Sequence, residues 1–217
     1  MSSTNIFFEN RFEATKKLIE ELPIDGMKLE EWIVLSSSYN SYEIAKDIAK
    51  ELNSEFDIIL NKKIYAPNNE ECEIAVVTEY EDVFIHEELV KSFDINIDYI
   101  YYQSKNIFEY DLKDQGNRFR DGAKHLSFEG KNVLIVDEDI NVGLVMMACI
   151  KTVINQKVKS ISVATPIISS ASIEAIDAIT DDLYYVKKLD HYIEVEYYYK
   201  ELPNLEFEDI LKIKKGQ

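Results

Sequence analysis

Asp137 and Glu138 stand side by side at the end of an uninterrupted apolar run, Val133-Leu134-Ile135-Val136, and Gly143 soon afterwards opens a second apolar stretch with helical spacing. A run with no polar residue suits a strand buried on both faces of a parallel sheet. Carboxylates at the C-terminal end of such a strand, followed by a loop into a helix, occupy the place where open α/β sheets bind ligands. The helix N-terminus offers free backbone N–H groups and a partial positive charge, which suits a phosphate. An acid pair beside it suits sugar hydroxyls, or a Mg²⁺ that keeps most of its waters. The plainer alternative is a carboxylate pair that merely ends a strand.

The elements that must position these residues follow from periodicity. Residues 7–21 repeat apolar positions at helical spacing and stop before Pro23. Residues 32–36, WIVLS, predict a strand; the polar patch from Ser36 to Ser41 follows, and then an amphipathic helix with Ile44, Ala45, Ile48, Ala49 and Leu52 on one face. Ser41 and Glu43 fit the start of that helix, with Ser41 as its cap. Phe56–Leu60 predicts a second strand, and Ile74–Thr78 with Asp82–His86 a hairpin. Ile95 to about Arg120 is expected to be helical, and Gly122 to Gly130 a loop. After the strand ending in Asp137, a helix is expected over Leu144–Ile154, with Met146 and Met147 packed on the sheet. A strand over Lys159–Thr165 ended by Pro166, a helix over Ser169–Ile179, a strand over Leu183–Val186 and a final helix over Phe207–Lys214 complete the chain. Alternating strands and helices predict an α/β fold: a doubly wound, mostly parallel sheet with flanking helices.

Composition narrows the function. The chain has 217 residues, which suits one α/β domain with a small appended element better than two full domains. Its 41 acidic residues against 24 basic ones give a net charge of −17, so a nucleic-acid partner is not expected. No apolar run approaches the roughly 18 residues of a membrane span, and the opening MSSTNIFFENRFEATKK lacks a leader's apolar stretch. Cys72 and Cys149 lie far apart and predict reduced thiols in a cytoplasmic protein. His86, His125 and His191 have no metal-ligand spacing. Tyr192, Tyr197, Tyr198 and Tyr199 suggest either a packed or dimerising edge, the expectation favoured here, or a stacking platform for a base.

With these segments placed, residues 131–147, KNVLIVDEDINVGLVMM, resemble the phosphoribosyl-pyrophosphate (PRPP) signature of the type I phosphoribosyltransferases. Four other stretches are similar, in order, to the predicted phosphoribosyltransferases of bacteria and archaea: FENRFEATKKLIEEL near the start, KKIYAPNNEECEIAVV at 62–77, VFIHEELV at 83–90, and YIEVEYYYKELPNLEFEDI at 192–210. The resemblance implies a single domain over 1–217 of the type I phosphoribosyltransferase-like fold, with a small hood-like insertion at roughly 62–125. It implies transfer of a 5-phosphoribosyl group from PRPP to a nucleobase-type acceptor, with Mg²⁺ and release of pyrophosphate. Asp137 and Glu138 would be the catalytic pair, holding the ribose hydroxyls and the metal. Asp139, Ile140, Asn141, Val142, Gly143, Leu144 and Val145 would wrap the 5-phosphate. Ser36, Ser37 and Ser38, with Lys62 and Lys63 at the end of the next strand, would face pyrophosphate. Relatives of this type are often dimers.

The chain departs from that pattern. Asp139 stands where the family has Gly, and Val142 and Val145 where Thr hydroxyls bond the phosphate. Each lost charge-assisted bond is worth about 1.5–3 kcal/mol. The Pro-Arg-Gly-Gly stretch after the first strand is replaced by Leu35-Ser36-Ser37-Ser38-Tyr39-Asn40, which has no Arg. Two functions therefore stay open: the transferase, and a non-catalytic relative that senses a ligand or binds a partner. A related phosphosugar or nucleotide as ligand is a further possibility.

Overall fold

The computed structural model describes residues 6–216. Residues 1–5 and 217, part of the single domain expected over 1–217 and, at the N-terminus, of the opening read as lacking a leader's apolar stretch, lie outside the described residues. The central sheet contains β1 (Trp32–Ser36), β2 (Glu55–Ile58), β6 (Asn132–Val136), β7 (Asp139–Ile140), β8 (Ser160–Ser169) and β9 (Asp182–Leu189), and every pairing in it is parallel. β2, β1, β6 and β8 neighbour one another in that order; β7 continues the β6 edge of β8, and β9 lies along the other edge.

Alternation along the strands explains why helices cover both faces. Ile33, Leu35, Val133, Ile135 and Val163 point into one apolar cluster with α7 (Leu144–Asn155). Val34, Leu134, Val136 and Ala164 point into another with α1 (Arg11–Glu21) and α3 (Tyr42–Leu52). Successive strands run outward from β1 in one direction through α3 to β2, and outward from β6 in the other through α7 to β8. The gap between the C-terminal ends of β1 and β6 is therefore the topological switch point of the sheet.

A second, antiparallel sheet is made by β3 (Asn61–Ala66), β4 (Asn69–Thr78) and β5 (Val83–Ile85). It packs with α4 (Glu87–Ser92), α5 (Ile97–Ile107), a π-helical turn (Phe108–Leu112), α6 (Lys113–Phe119) and the last helix, α9 (Phe207–Lys215), around Leu60, Ile74, Ile100, Leu112 and Ile210. Among the described residues the short helices α2 (Ile24–Met27) and α8 (Ser170–Asp177) and a 3-10 turn (Val195–Tyr197) complete the set. Among the described residues no helix is long and apolar enough to cross a membrane.

Four expectations need correcting. The first helix begins at Arg11, capped by Asn10, whose side chain accepts from the Glu13 N–H. Phe7 and Phe8 instead pair with the C-terminal segment: both donate N–H to Tyr198 O, and Lys200 N–H donates to Phe8 O. Ser41 holds the cap position of α3, but its hydroxyl accepts from the Ser38 N–H at 3.1 Å and caps nothing in its own helix. Lys62 and Lys63 lie near the start of β3, not at the end of β2. Finally, β8 does not stop before Pro166. Its ladder to β6 ends at Ala164 and that to β7 begins at Ile167, while β9 pairs with Thr165 and Ile167, so no paired position requires the missing N–H.

Candidate functional site

The strand ends at the switch point open into a cleft of about 700 Å³, walled on one side by Ser38 and residues 137–146 and on the other by Asn61, Lys63, Asn69, Glu71, Cys72, Glu73 and Leu89. The second wall, β3, β4 and α4, falls largely within the hood-like insertion expected at roughly 62–125, of which the strand pattern marked only the hairpin at 74–78 and 82–86.

Each of the three consecutive carboxylates is held by a different part of the chain. Asp137, 8% exposed, accepts from Ser38 Oγ at 2.8 Å and from the Glu138 N–H at 2.8 Å, both at Oδ1. Glu138, 2% exposed, is gripped by the Arg11 guanidinium in a buried ion pair, Nε to Oε1 with Nη2 near Oε2. Asp139 accepts from the Tyr192 hydroxyl at Oδ2. All three line the cleft, but Glu138 is bound to the Arg11 cation and Asp139 to the Tyr192 hydroxyl, whereas Asp137 is held by Ser38 and a backbone N–H.

Burial sets the electrostatics. It pushes Asp137 up to about 6, helped by the charge of Asp139 and opposed by the hydroxyl and N–H donors. Burial raises Glu138 as well, with Arg11 pulling the other way. Asp139 is raised by burial and partly offset by the Tyr192 hydrogen bond. Tyr192 is in turn pushed up by burial and by that carboxylate, so its hydroxyl keeps its proton and remains a donor.

The loop after β6 divides its side chains. Ile140 and Leu144 are buried in apolar clusters, and Val145 packs partly against them. Asn141 and Val142 are exposed at the cleft, Val142 at 66%. Gly143 adopts φ +80 as it enters α7, a left-handed conformation that favours glycine, and Ser172 Oγ secures the loop by donating to Asn141 O. Backbone N–H groups at the start of α7 therefore face the cleft without side-chain caps.

The other candidates separate. Ser36 and Ser37 are fully buried: the Ser36 hydroxyl bonds Ser41 and Ser38 O, and the Ser37 hydroxyl donates to Val136 O. Ser38 alone of the three lines the cleft. Lys63 lines it too, while Lys62 alternates to the other side of β3, at a smaller depression beside Tyr39. Tyr198 and Tyr199 are buried against Phe7 and Phe8, the first stacked on Phe7 at 5.6 Å, so they form a packed edge and not a platform in the cleft. Among the described residues no three His, Cys, Asp or Glu converge as a metal cluster. The donor set fits a Mg²⁺ that binds through one carboxylate and ligand oxygens, with Asp137 as that carboxylate; Glu138, committed to Arg11, does not fit.

Arg11 was not among the candidates. Its signal was visible: it sits at the same helical spacing as Ala14, Thr15 and Leu18, on the face that α1 buries. A cation on such a face needs a buried anion.

The sequence matches the phosphoribosyl transferase domain over residues 4–203. None of the curated proteins matches it. Among solved structures it is similar to the protein TT1426 from Thermus thermophilus, at 21% identity and a TM-score of 0.76, over 96% of this chain and 97% of that one. It is also similar to a purine phosphoribosyltransferase from Pyrococcus horikoshii, at 14% identity and a TM-score of 0.50, over 90% and 95% of the two chains. At these identities the likenesses speak for the fold, whereas the domain match spans both sheets and the acid loop. The chain belongs to the phosphoribosyl transferase domain family.

Proposed function

We propose that the cleft binds PRPP and transfers its 5-phosphoribosyl group to a nucleobase-type acceptor. The observation that carries this is Asp137, a buried carboxylate fixed at the switch point, facing the cleft beside the glycine-led N-terminus of α7. Asp137 accepts hydrogen bonds from the ribose hydroxyls. The backbone of residues 141–145 surrounds the 5-phosphate, and Ser38 and Lys63 face the diphosphate. Glu138 and Asp139 hold the loop through Arg11 and Tyr192. The bond from C1 to the diphosphate oxygen breaks and leaves its electron pair on pyrophosphate; a bond forms from C1 to an acceptor nitrogen, which gives up a proton. Mg²⁺, when bound, neutralises charge on the diphosphate, and Asp137 is the residue that would hold it. The insertion at roughly 62–125 serves as the hood that covers the acceptor. Positioning and charge stabilisation then supply most of the catalysis.

The alternative, a non-catalytic ligand-binding relative, is favoured by one observation: Lys63 is the single basic side chain lining the cleft among the described residues, and Glu73 already holds it. Titration calorimetry with PRPP, with and without Mg²⁺, followed by a screen of acceptor bases, separates the two. Micromolar Mg²⁺-dependent binding, weakened by Asp137→Asn and accompanied by pyrophosphate release, supports the transferase. Binding without turnover supports the relative, and no binding up to millimolar PRPP refutes both as PRPP proteins.

A further inference from the structure

The hold of Glu73 on Lys63 comes from the register of the strands. Along the β3–β4 ladder Lys63 stands opposite Val76 and Ile64 opposite Ala75, but Tyr65 stands opposite Glu73, so the pairing slips by one residue. Regular alternation would have put Ile74 on the face shared by Lys63 and Tyr65. The bulge turns Ile74 into the apolar core and brings Glu73 to that face instead. There Lys63 Nζ lies 2.5 Å from Glu73 Oε1. Both side chains line the cleft, on the wall across from Asp137. Burial pulls the Lys63 ammonium down, but the Glu73 hydrogen bond and charge, with Asp137 behind them, carry it above its ordinary range.

We propose that Glu73 is a built-in competitor for the anion subsite of this cleft, holding Lys63 until the adjacent phosphates of a diphosphate ligand displace it. The pair is partly exposed, the lysine side chain at 41% and the glutamate at 32%. Such pairs are weak and exchange readily. A diphosphate offers the ammonium several oxygens and more than one charge, whereas a monophosphate offers little advantage over the carboxylate already in place. Glu73 therefore selects for diphosphate groups and keeps the subsite closed to simpler anions. The inference rests on the reading of the cleft as a PRPP site.

The test is calorimetric titration with inorganic pyrophosphate and, separately, inorganic phosphate, at low salt and without Mg²⁺. The proteins are wild type, Glu73→Gln, Lys63→Gln and the double variant, with thermal melts to confirm folding and Glu73→Ala as a second removal of the carboxylate. Glu73→Gln should bind pyrophosphate about three- to tenfold more tightly than wild type and narrow its preference over phosphate. Lys63→Gln should bind it more weakly, and the double variant should show none of the gain. Unchanged or weaker binding by Glu73→Gln, a gain that persists without Lys63, or no pyrophosphate binding by any of the proteins overturns the proposal. A parallel PRPP titration keeps the two ideas apart. Gain for pyrophosphate with no PRPP binding sinks the PRPP reading alone, and PRPP binding with no effect of Glu73→Gln sinks the competitor alone.

Discussion

Arg11 and Glu138 lie 127 residues apart and form a buried ion pair that fastens the first turn of α1 to the acid loop. Removing either charge strands the other in an apolar setting. Arg11→Leu should cost about 3–5 kcal/mol in urea unfolding, and the double change Arg11→Leu with Glu138→Leu should recover most of it. A single variant as stable as wild type would show that the pair contributes nothing.

Asp137 gives stability a pH dependence of definite sign. Its carboxyl is raised from 3.8 to about 6 by burial, so the folded chain keeps a proton that the unfolded chain has lost. This contribution is full below about pH 4 and is lost as pH rises through about 6, a fall of about 3 kcal/mol that Asp137→Asn should abolish. PRPP affinity should move the other way, rising through the same window as the carboxylate forms. Urea midpoints and titrations from pH 4 to 8 read both slopes; parallel slopes in wild type and Asp137→Asn would refute the assignment.

Gly116, in α6, is a test of a second buried network. Arg120 there binds both Glu79 and Asp57, and Glu79 Oε1 accepts from the Leu60 N–H. A Cβ on Gly116 would stand 2.9 Å from Glu79 Oε2. Replacing glycine by alanine in an open helix gains about 1 kcal/mol. Here Gly116→Ala should instead lose about 1–3 kcal/mol, because the buried carboxylate must leave its partners. Chemical denaturation decides, and a stabilised variant would mean that the carboxylate is free to move.

Val142 faces the cleft and is mostly exposed, so Val142→Thr should change stability by less than about 0.5 kcal/mol. A hydroxyl there adds one donor toward the 5-phosphate, and PRPP should bind about tenfold more tightly, the worth of one charge-assisted bond of about 1.5 kcal/mol. Equal affinities would place the phosphate elsewhere.

The sheet was legible because its strands announce themselves: Val133 to Val136 are apolar without a break and buried on both faces. Pro166 misled because a proline reads as a stop unless the pairing partners change at that point, which is a property of β6, β7 and β9 and not of β8 itself. Within the site, Asp137 and Gly143 could be found from local pattern. The pairing of Glu138 with Arg11 and of Asp139 with Tyr192 could not, since those partners are distant in sequence and carry no spacing that ties them to the loop. Ser36 and Ser37 looked like donors for a ligand, but a serine at the end of a fully buried strand satisfies backbone and neighbouring hydroxyls first. Glu73 was hidden by a bulge, which inverts the face that alternation assigns.

The division of the acid loop among three distant anchors has a consequence for synthesis on the ribosome. By the time Asn155 has been made, every residue lining the cleft exists, with Ser38 and Arg11, but β8 and Ser172, which hold β7 and the loop, do not. Tyr192 does not, nor do Tyr198 and Tyr199, against which Phe7 and Phe8 pack. A nascent chain at that stage carries Asp139 as a charge with no donor and α1 with its leading aromatics undocked. Maturation of the pocket is thus a late, C-terminal event. A chain stalled or clipped before residue 192 would keep the residues that line the cleft and lose the one hydroxyl that donates to Asp139.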